Sequence, residues 1–578
     1  MRSTRRRALG AGIAAGALAA FVAGTPAVAK DTSRPDFGGK GKGRFEAVQV
    51  LSFNDYHGHL EADESTGPLS ETQDPAQTEV GGAEYLASAL DALRSDAPRG
   101  RSLTVAAGDL IGGSTFLSGI FHDEPSVETL NAMGLDVSSV GNHEFDEGTD
   151  ELLRMQDGGC HPVDGCYFEN DPYGGADFQW LAANVVKKDG TGTLLPGTSV
   201  KEVDGTKIGF IGMTLEATPT LVNPAGVASV EFQDEVETAN EQAAALQAQG
   251  VEAIVVLLHE GGYQTGTYDQ CTGASGPIVE IAEQMTPAVD ALVTGHTHQP
   301  YVCSIPDPAG NPRLVTSAAS YGRVITDTNL VIDRKTGDVD RKKTTATNVL
   351  VDRSAYAADA EQTEILAKWK SISDEKAAEV VGSAAEPILG DSDTCRCEET
   401  PMGDLVADAI LWGTSAPENG GAQISFMNIG GVRGEISEAG PITYEQAYLI
   451  APFGNLLVSM DLTGQQIKDV LELQYDPSRG RQYLALGVSE GFSYTWDDSQ
   501  PQGSKVVASS MTLNGVQMNL SATYRVSTLN FLANGGDSFT GFLAGTNILG
   551  GAEDLANLVA YFEANPGLTA PEDRVAGL

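Results

Sequence analysis

Hydrophobic and polar positions along this chain fall into short apolar runs rich in β-branched residues, separated by stretches with a helical period. Five of the apolar runs share one kind of ending. FEAVQVLSFNDYHGH (Phe45 to His59), SLTVAAGD (Ser102 to Asp109), VSSVGNHEFD (Val137 to Asp146), EAIVVLLHE (Glu252 to Glu260) and DALVTGHTH (Asp290 to His298) each predict a strand that runs into a metal-binding side chain. Runs such as VVLL and LTVAA predict buried, mostly parallel strands. Helical stretches lie between them, for example Gly82 to Leu93 and Glu235 to Gln249. This alternation predicts an α/β domain whose ligands sit just beyond the carboxyl ends of the strands.

The pattern changes after Val351. One helical pattern between Tyr356 and Val381 sets Ile365, Trp369 and Ile372 on one face and Asp, Glu and Lys on the other. New strands follow, among them AQISFMN (Ala422 to Asn428), NLLVSMDL (Asn455 to Leu462) and TYRVSTLNF (Thr523 to Phe531). A chain of 578 residues exceeds one hydrophobic core. The expected organisation is a first domain over 45–351, a linker helix within 352–381 and a second α/β domain over 382–565. Residues 1–29 read as an export signal, with a basic start, an Ala/Gly-rich apolar run and cleavage near Ala29. Residues 30–44 read as a disordered leader. No later run approaches the ~18 apolar residues of a membrane span, so the expectation is a secreted, extracytoplasmic protein.

Charge and cysteine content narrow the partners. The chain carries 36 Lys and Arg against 79 Asp and Glu, a net charge of −43. Such a surface repels polyphosphate backbones and argues against a nucleic-acid polymer as partner. Six cysteines fit an oxidising compartment, and their grouping suggests Cys160–Cys166 and Cys271–Cys303 bridges. A Cys395–Cys397 bridge would close a tight ring.

Six of the eight histidines fall in the five strand-to-ligand segments. Asp55 and His57 alternate at a strand end and so project to one face. Asp109 can bridge two cations, one on each carboxylate oxygen. Asn142 offers a neutral amide oxygen, and His259, His296 and His298 complete a nitrogen and oxygen set that suits Zn²⁺, Mn²⁺, Fe²⁺ or Co²⁺. His59 reads as a supporting or structural residue, and His122 and His161 as surface residues.

The segments NDYHGHLE, AAGDLIGGS, VGNHEFDEG, LLHEGG and TGHTH resemble the signature of the calcineurin-like metallophosphoesterases, and within them the secreted 5′-nucleotidase and UDP-sugar hydrolase family. The resemblance implies a two-layer β-sandwich flanked by helices, with two divalent metal ions at its edge. By motif, one ion would take Asp55, His57, Asp109 and His298, and the other Asp109, Asn142, His259 and His296. Some members of the family have glutamine where this chain has His298. His143 and Asp146 match the catalytic dyad, an imidazole at the phosphoryl group and the carboxylate that orients it.

Four later segments, CRCEETPMGDLVADA, NIGGVRGEI, APFGNLL and STLNFLANGGDSF, resemble the substrate domain of the same family. Phe453 and Phe531 match two aromatics that sandwich a nucleobase, and Arg396 and Arg433 match arginines on phosphate or carboxylate groups. Asn428 and Asn455 match base or ribose contacts, and Asp537 the ribose-hydroxyl acceptor. Two departures touch substrate choice: Ser392 stands near where some relatives carry a second arginine, and Arg481 sits near a position where relatives often have a small residue beside the base. The implied function is hydrolysis of nucleotide phosphate esters, chiefly nucleoside 5′-monophosphates, with nucleotide sugars or 2′,3′-cyclic nucleotides as further substrates. The rivals are a thiosulfohydrolase of the same architecture, a nuclease, and a nucleotide-binding surface protein without turnover.

Overall fold

The computed structural model describes residues 43–63, 66–97, 100–222, 226–392, 396–479 and 481–578. The export signal, the leader up to residue 42 and Cys395 lie outside the described residues. At the end of the expected leader, Arg44 is anchored: its Nε and Nη2 donate to Asp333 Oδ2 at 2.8 and 2.6 Å.

Two six-stranded sheets form the first domain. In one, Phe45–Phe53, Ser102–Ala107, Val137–Ser139 and Gln179–Leu181 run parallel in that order. Val324–Asp333 pairs antiparallel with Phe45–Phe53 on its other side. In the second sheet, Thr206–Thr214, Ala253–His259, Ala291–Thr294 and Pro312–Ala318 are parallel neighbours. Nearly every residue of these strands is buried, which is why they read as continuous apolar runs. Val48, Val105 and Val137 of the first sheet meet Phe210, Val255 and Val293 of the second in one core cluster, giving a β-sandwich. Helices Ala83–Asp96 and Glu124–Ala132 cover one outer face, and Glu235–Ala248 and Pro277–Gln284 the other.

The helix expected between the domains spans Ala360–Ala377, capped by Asp359, whose side chain accepts from the Gln362 N–H. Its buried stripe is Gln362, Leu366, Trp369 and Ser373, so the expected face is displaced, and Ile372 is 41% exposed. Trp369 sets the stripe: its ring packs on Phe121 and Phe168 while its Nε1 donates to Glu128 Oε2 at 2.6 Å. The helix is thereby fastened to the first domain.

The second domain is built on a five-stranded sheet in the order Leu486–Val488, Ile424–Asn428, Thr523–Leu529, Leu456–Thr463, Thr546–Glu553. Ile424–Asn428 and Thr523–Leu529 are parallel, and Leu456–Thr463 is antiparallel to the latter, with Leu457 opposite Leu529. The carboxyl ends of two strands and the amino end of the third therefore share one sheet edge. Cys160 pairs with Cys166 and Cys271 with Cys303, as the grouping suggested. Among the described residues no helix is long and apolar enough to cross a membrane.

Candidate metal centre and substrate cleft

The parallel strands deliver their terminal side chains to one edge of the sandwich. Asp55 and His57 follow Phe45–Phe53, Asp109 follows Ser102–Ala107, Asn142 follows Val137–Ser139, His259 ends its own strand, and His296 follows Ala291–Thr294. The chain bends sharply there. Asp55, His57, Asp109, His296 and His298 all have left-handed backbone, with φ of 50°, 48°, 50°, 71° and 55°. For non-glycine residues this costs roughly 1–2 kcal/mol each. Strain gathered on five neighbouring polar residues marks a functional site more than a packing accident.

The side chains form two groups, and the Asp109 carboxylate of one also faces a histidine of the other. Asp55, His57 and His298 bring ligand atoms together in one group, and Asp109, His259 and His296 in the other. Asp109 Oδ2 lies 2.9 Å from His259 Nε2 and 3.6 Å from His57 Nε2. His298 Nε2 lies 3.2 Å from Asp55 Oδ1, and His296 Nδ1 3.0 Å from Asn142 Oδ1. All seven residues singled out from the sequence thus converge.

Two imidazoles are held in the tautomer that ligation requires. The His57 Nδ1–H donates to the Gly112 carbonyl at 2.7 Å, and the His259 Nδ1–H to the Ala107 carbonyl at 2.8 Å. Each Nε2 then presents a lone pair inward, and both Nε2 atoms are buried with no hydrogen-bond partner. A nitrogen facing a carboxylate oxygen at 2.9 Å needs a positive charge between them, a proton or a metal ion. Burial drives the imidazoles of His57 and His296 well below their usual range, the neutral state in which histidine binds metal. At His259 burial acts the same way, but the facing Asp109 carboxylate outweighs it and raises the group to about 10. The donor set fits divalent cations.

Glu144 braces this arrangement and was not singled out from the sequence. Its buried carboxylate accepts from the N–H of Asp109 at 2.9 Å, of Leu110 at 2.7 Å and of Gly141. A Cβ on Gly141 would collide with Asp109 Oδ1, so glycine is required beside the shared carboxylate. His59, expected in a supporting role, stacks on Tyr321 with ring centroids 3.8 Å apart.

His143 and Asp146 stand at the mouth of the centre. His143 Nδ1 lies 2.8 Å from Asp146 Oδ2, and the His143 backbone N–H donates to Asp109 Oδ1 at 2.9 Å. Burial lowers the His143 imidazole, but the Asp146 and Asp109 carboxylates more than offset it and the net shift is upward.

A cleft of about 650 Å³ opens from this edge and is lined from the other side by Arg396, Asn428, Arg433, Phe453, Asn455, Phe531 and Asp537. They converge because strand ends 428 and 529 and strand start 456 lie at the same sheet edge. Phe453 is partly exposed, stands outside the hydrophobic clusters, lies parallel to His143 at 5.9 Å and carries the Arg433 guanidinium at 5.7 Å. Phe531 rests one side on the core of its domain. Asn428 donates to Asp537 Oδ2 at 3.0 Å, leaving its buried Oδ1 without a partner. Tyr263 and Arg479 also line the cleft, and neither was singled out; Arg479 donates to the Asp537 carbonyl at 3.0 Å. Ser392 and Arg481 both line it as well.

Comparison with known proteins agrees with this layout. Residues 48–300 match the calcineurin-like phosphoesterase model and residues 380–544 the 5′-nucleotidase C-terminal domain model. The chain is 32% identical over 524 residues to the endonuclease YhcR of Bacillus subtilis, covering 89% of this chain and 40% of that protein. It is 31% identical over 575 residues to a cell wall protein of Listeria monocytogenes, covering 94% of this chain and 68% of that one. Against the 5′-nucleotidase precursor of Thermus thermophilus the TM-score is 0.71 at 28% identity, over 92% of this chain and 99% of that one.

Proposed function

Since the chain belongs to the calcineurin-like phosphoesterases that carry a 5′-nucleotidase C-terminal domain, we propose that it is an extracytoplasmic two-metal hydrolase of nucleotide phosphate esters, chiefly nucleoside 5′-monophosphates. The observation that carries this reading is the pair of orphaned imidazole nitrogens flanking Asp109 at one end of a cleft whose other end holds Phe453, Phe531 and Asp537. The proposed partition is 45–351 for the hydrolytic domain, 352–381 for the linker and 382–565 for the substrate domain. Two bridged cysteine pairs support a place outside the cytoplasm.

Asp55, His57, Asp109 and His298 would hold one divalent ion, and Asp109, Asn142, His259 and His296 the other. Bound there, two such ions supply charge neutralisation for the phosphoryl oxygens and a more acidic attacking water. The protein's own groups do the rest. His143, its proton affinity raised by Asp146, which also orients it, donates when protonated to a phosphoryl or leaving-group oxygen. Arg396 and Arg433 offer guanidinium forks to phosphate oxygens. Asp537 and the open Oδ1 of Asn428 accept from ribose hydroxyls, and the two phenylalanine faces hold the base.

Phosphate release across a nucleotide panel, after metal stripping and readdition of Zn²⁺, Mn²⁺, Co²⁺ or Fe²⁺, tests the reading. The panel should include a UDP-sugar, a 2′,3′-cyclic nucleotide and DNA, since one relative is named an endonuclease. Preference for DNA over nucleoside monophosphates would overturn the proposal. The base clamp has its own test. Phe453→Ala with Phe531→Ala is expected to raise KM for nucleoside monophosphates by roughly 5- to 150-fold, from about 1–3 kcal/mol of stacking per base. A nitrophenyl phosphate ester, which has no base, should be hydrolysed nearly as before. Equal losses on both substrates in a folded variant would make the two rings core residues.

A further inference from the structure

Away from the central pair, a second group of metal-ligating side chains gathers where residue 122 meets the loop closed by Cys160–Cys166. His122, Glu147, Glu151 and His161 each bring one ligand atom to within 4.8 Å of the others. His122 Nδ1 lies 2.9 Å from Glu147 Oε2, close to the edge of about 3.3 Å that a tetrahedral site with bonds of about 2.0–2.1 Å would have. On its other side, His122 Nε2 lies 2.8 Å from Asp164 Oδ2. The two imidazoles stack at 3.6 Å between centroids with planes 21° apart, so sharing one ion requires a ring rotation at one of them.

The loop that brings His161 and Asp164 is built rather than loose. Besides the disulfide, His161 and Gly165 exchange backbone hydrogen bonds of 3.1 and 2.9 Å. Charge points the same way. Two carboxylates, Glu147 and Asp164, face the His122 ring, while Glu151 shares its charge with Arg154 at 2.6 Å. Burial lowers His122, yet Glu147 and Asp164 raise it to about 9. Burial and the neighbouring His122 charge lower His161, which accepts from the Asp164 N–H at 3.2 Å and is neutral.

We propose that His122, Glu147, Glu151 and His161 form a third divalent-cation site of the zinc class, separate from the central pair. His122 ligates through Nδ1, and Asp164 accepts from its Nε2–H, the carboxylate–histidine–metal arrangement that fixes tautomer and ring orientation. The ion would tie the 160–166 loop to Glu147, the neighbour of Asp146. It would also hold the 122–123 turn, where Asp123 Oδ2 accepts from the Gly112 N–H at 2.9 Å, behind the carbonyl that positions His57. The site thus braces both the dyad turn and one central ligand from outside.

The test is a Zn²⁺ titration of chelator-treated full-length protein, with bound metal read by mass spectrometry after dialysis. The unaltered protein is expected to retain three equivalents and the His122→Ala, His161→Ala double variant two. Asp164→Asn, a change at a half-exposed position that leaves folding intact, should weaken the third equivalent by about 10–100-fold while two stay tight. Equal zinc content in the unaltered protein and the double variant, or an unchanged third equivalent in Asp164→Asn, would overturn the assignment. Neither readout depends on which ester the protein hydrolyses.

Discussion

Replacing Asp109 by alanine is expected to abolish phosphate release and to empty the central metal pair together. Its Oδ2 faces His259 Nε2 at 2.9 Å and His57 Nε2 at 3.6 Å, so one truncation removes a donor from both groups. The same carboxylate receives the His143 backbone N–H through Oδ1, so the dyad loses its anchor as well. The loss should exceed the roughly 10²–10³ typical of removing one charge-stabilising donor. Alanine also sits poorly at φ 50°, whereas asparagine tolerates it, so Asp109→Asn separates loss of charge from backbone strain. Both variants should fail together if the charge matters. His298→Ala and His296→Ala, each confined to one group, should each weaken one ion preferentially. Near-normal turnover with full metal content in the Asp109 variants would sink the two-metal assignment.

His143→Asn should behave differently: kcat falls by roughly 10²–10⁴ and both central ions stay bound. Its side chain reaches Asp146 and not the shared carboxylate, while its contact with Asp109 runs through the backbone N–H, which asparagine keeps. KM for nucleoside monophosphates should change little, since the groups proposed to read base and ribose lie on the other wall of the cleft. Metal analysis beside steady-state kinetics decides the matter. A variant that has lost an ion would make His143 a ligand and leave Asp146 without the role assigned to it.

Much of this was legible from local pattern alone. A strand buried on both faces must be apolar along its length, so Ala253–His259 and Phe45–Phe53 announce themselves, and the polar residue that ends such a run has few reasons to be there. The Cys160–Cys166 bridge was legible because the two cysteines are only 6 residues apart. The linker helix was legible as a helix, but its buried stripe was misread. Helical period leaves several faces open, and the choice fell to the docking of Trp369 on Phe121 and Glu128.

Other features exist only once distant strands are neighbours. The left-handed turns at Asp55, His57, Asp109, His296 and His298 oppose local preference and are held by long-range contacts, such as the His296 N–H to Asp55 at 3.0 Å. The tautomers of His57 and His259 depend on carbonyls 55 and 152 residues away in the chain. The brace by Glu144, and the pairing of His122 with His161 that pattern reading had left as separate surface residues, likewise need the folded chain. Sequence by itself determined which side chains stand at strand ends, because burial and period act over a few residues. Tertiary structure alone decided which of them share an ion, which nitrogen faces it and which groups meet across the cleft, because those are set by sheet order and by hydrogen bonds between segments far apart in the chain.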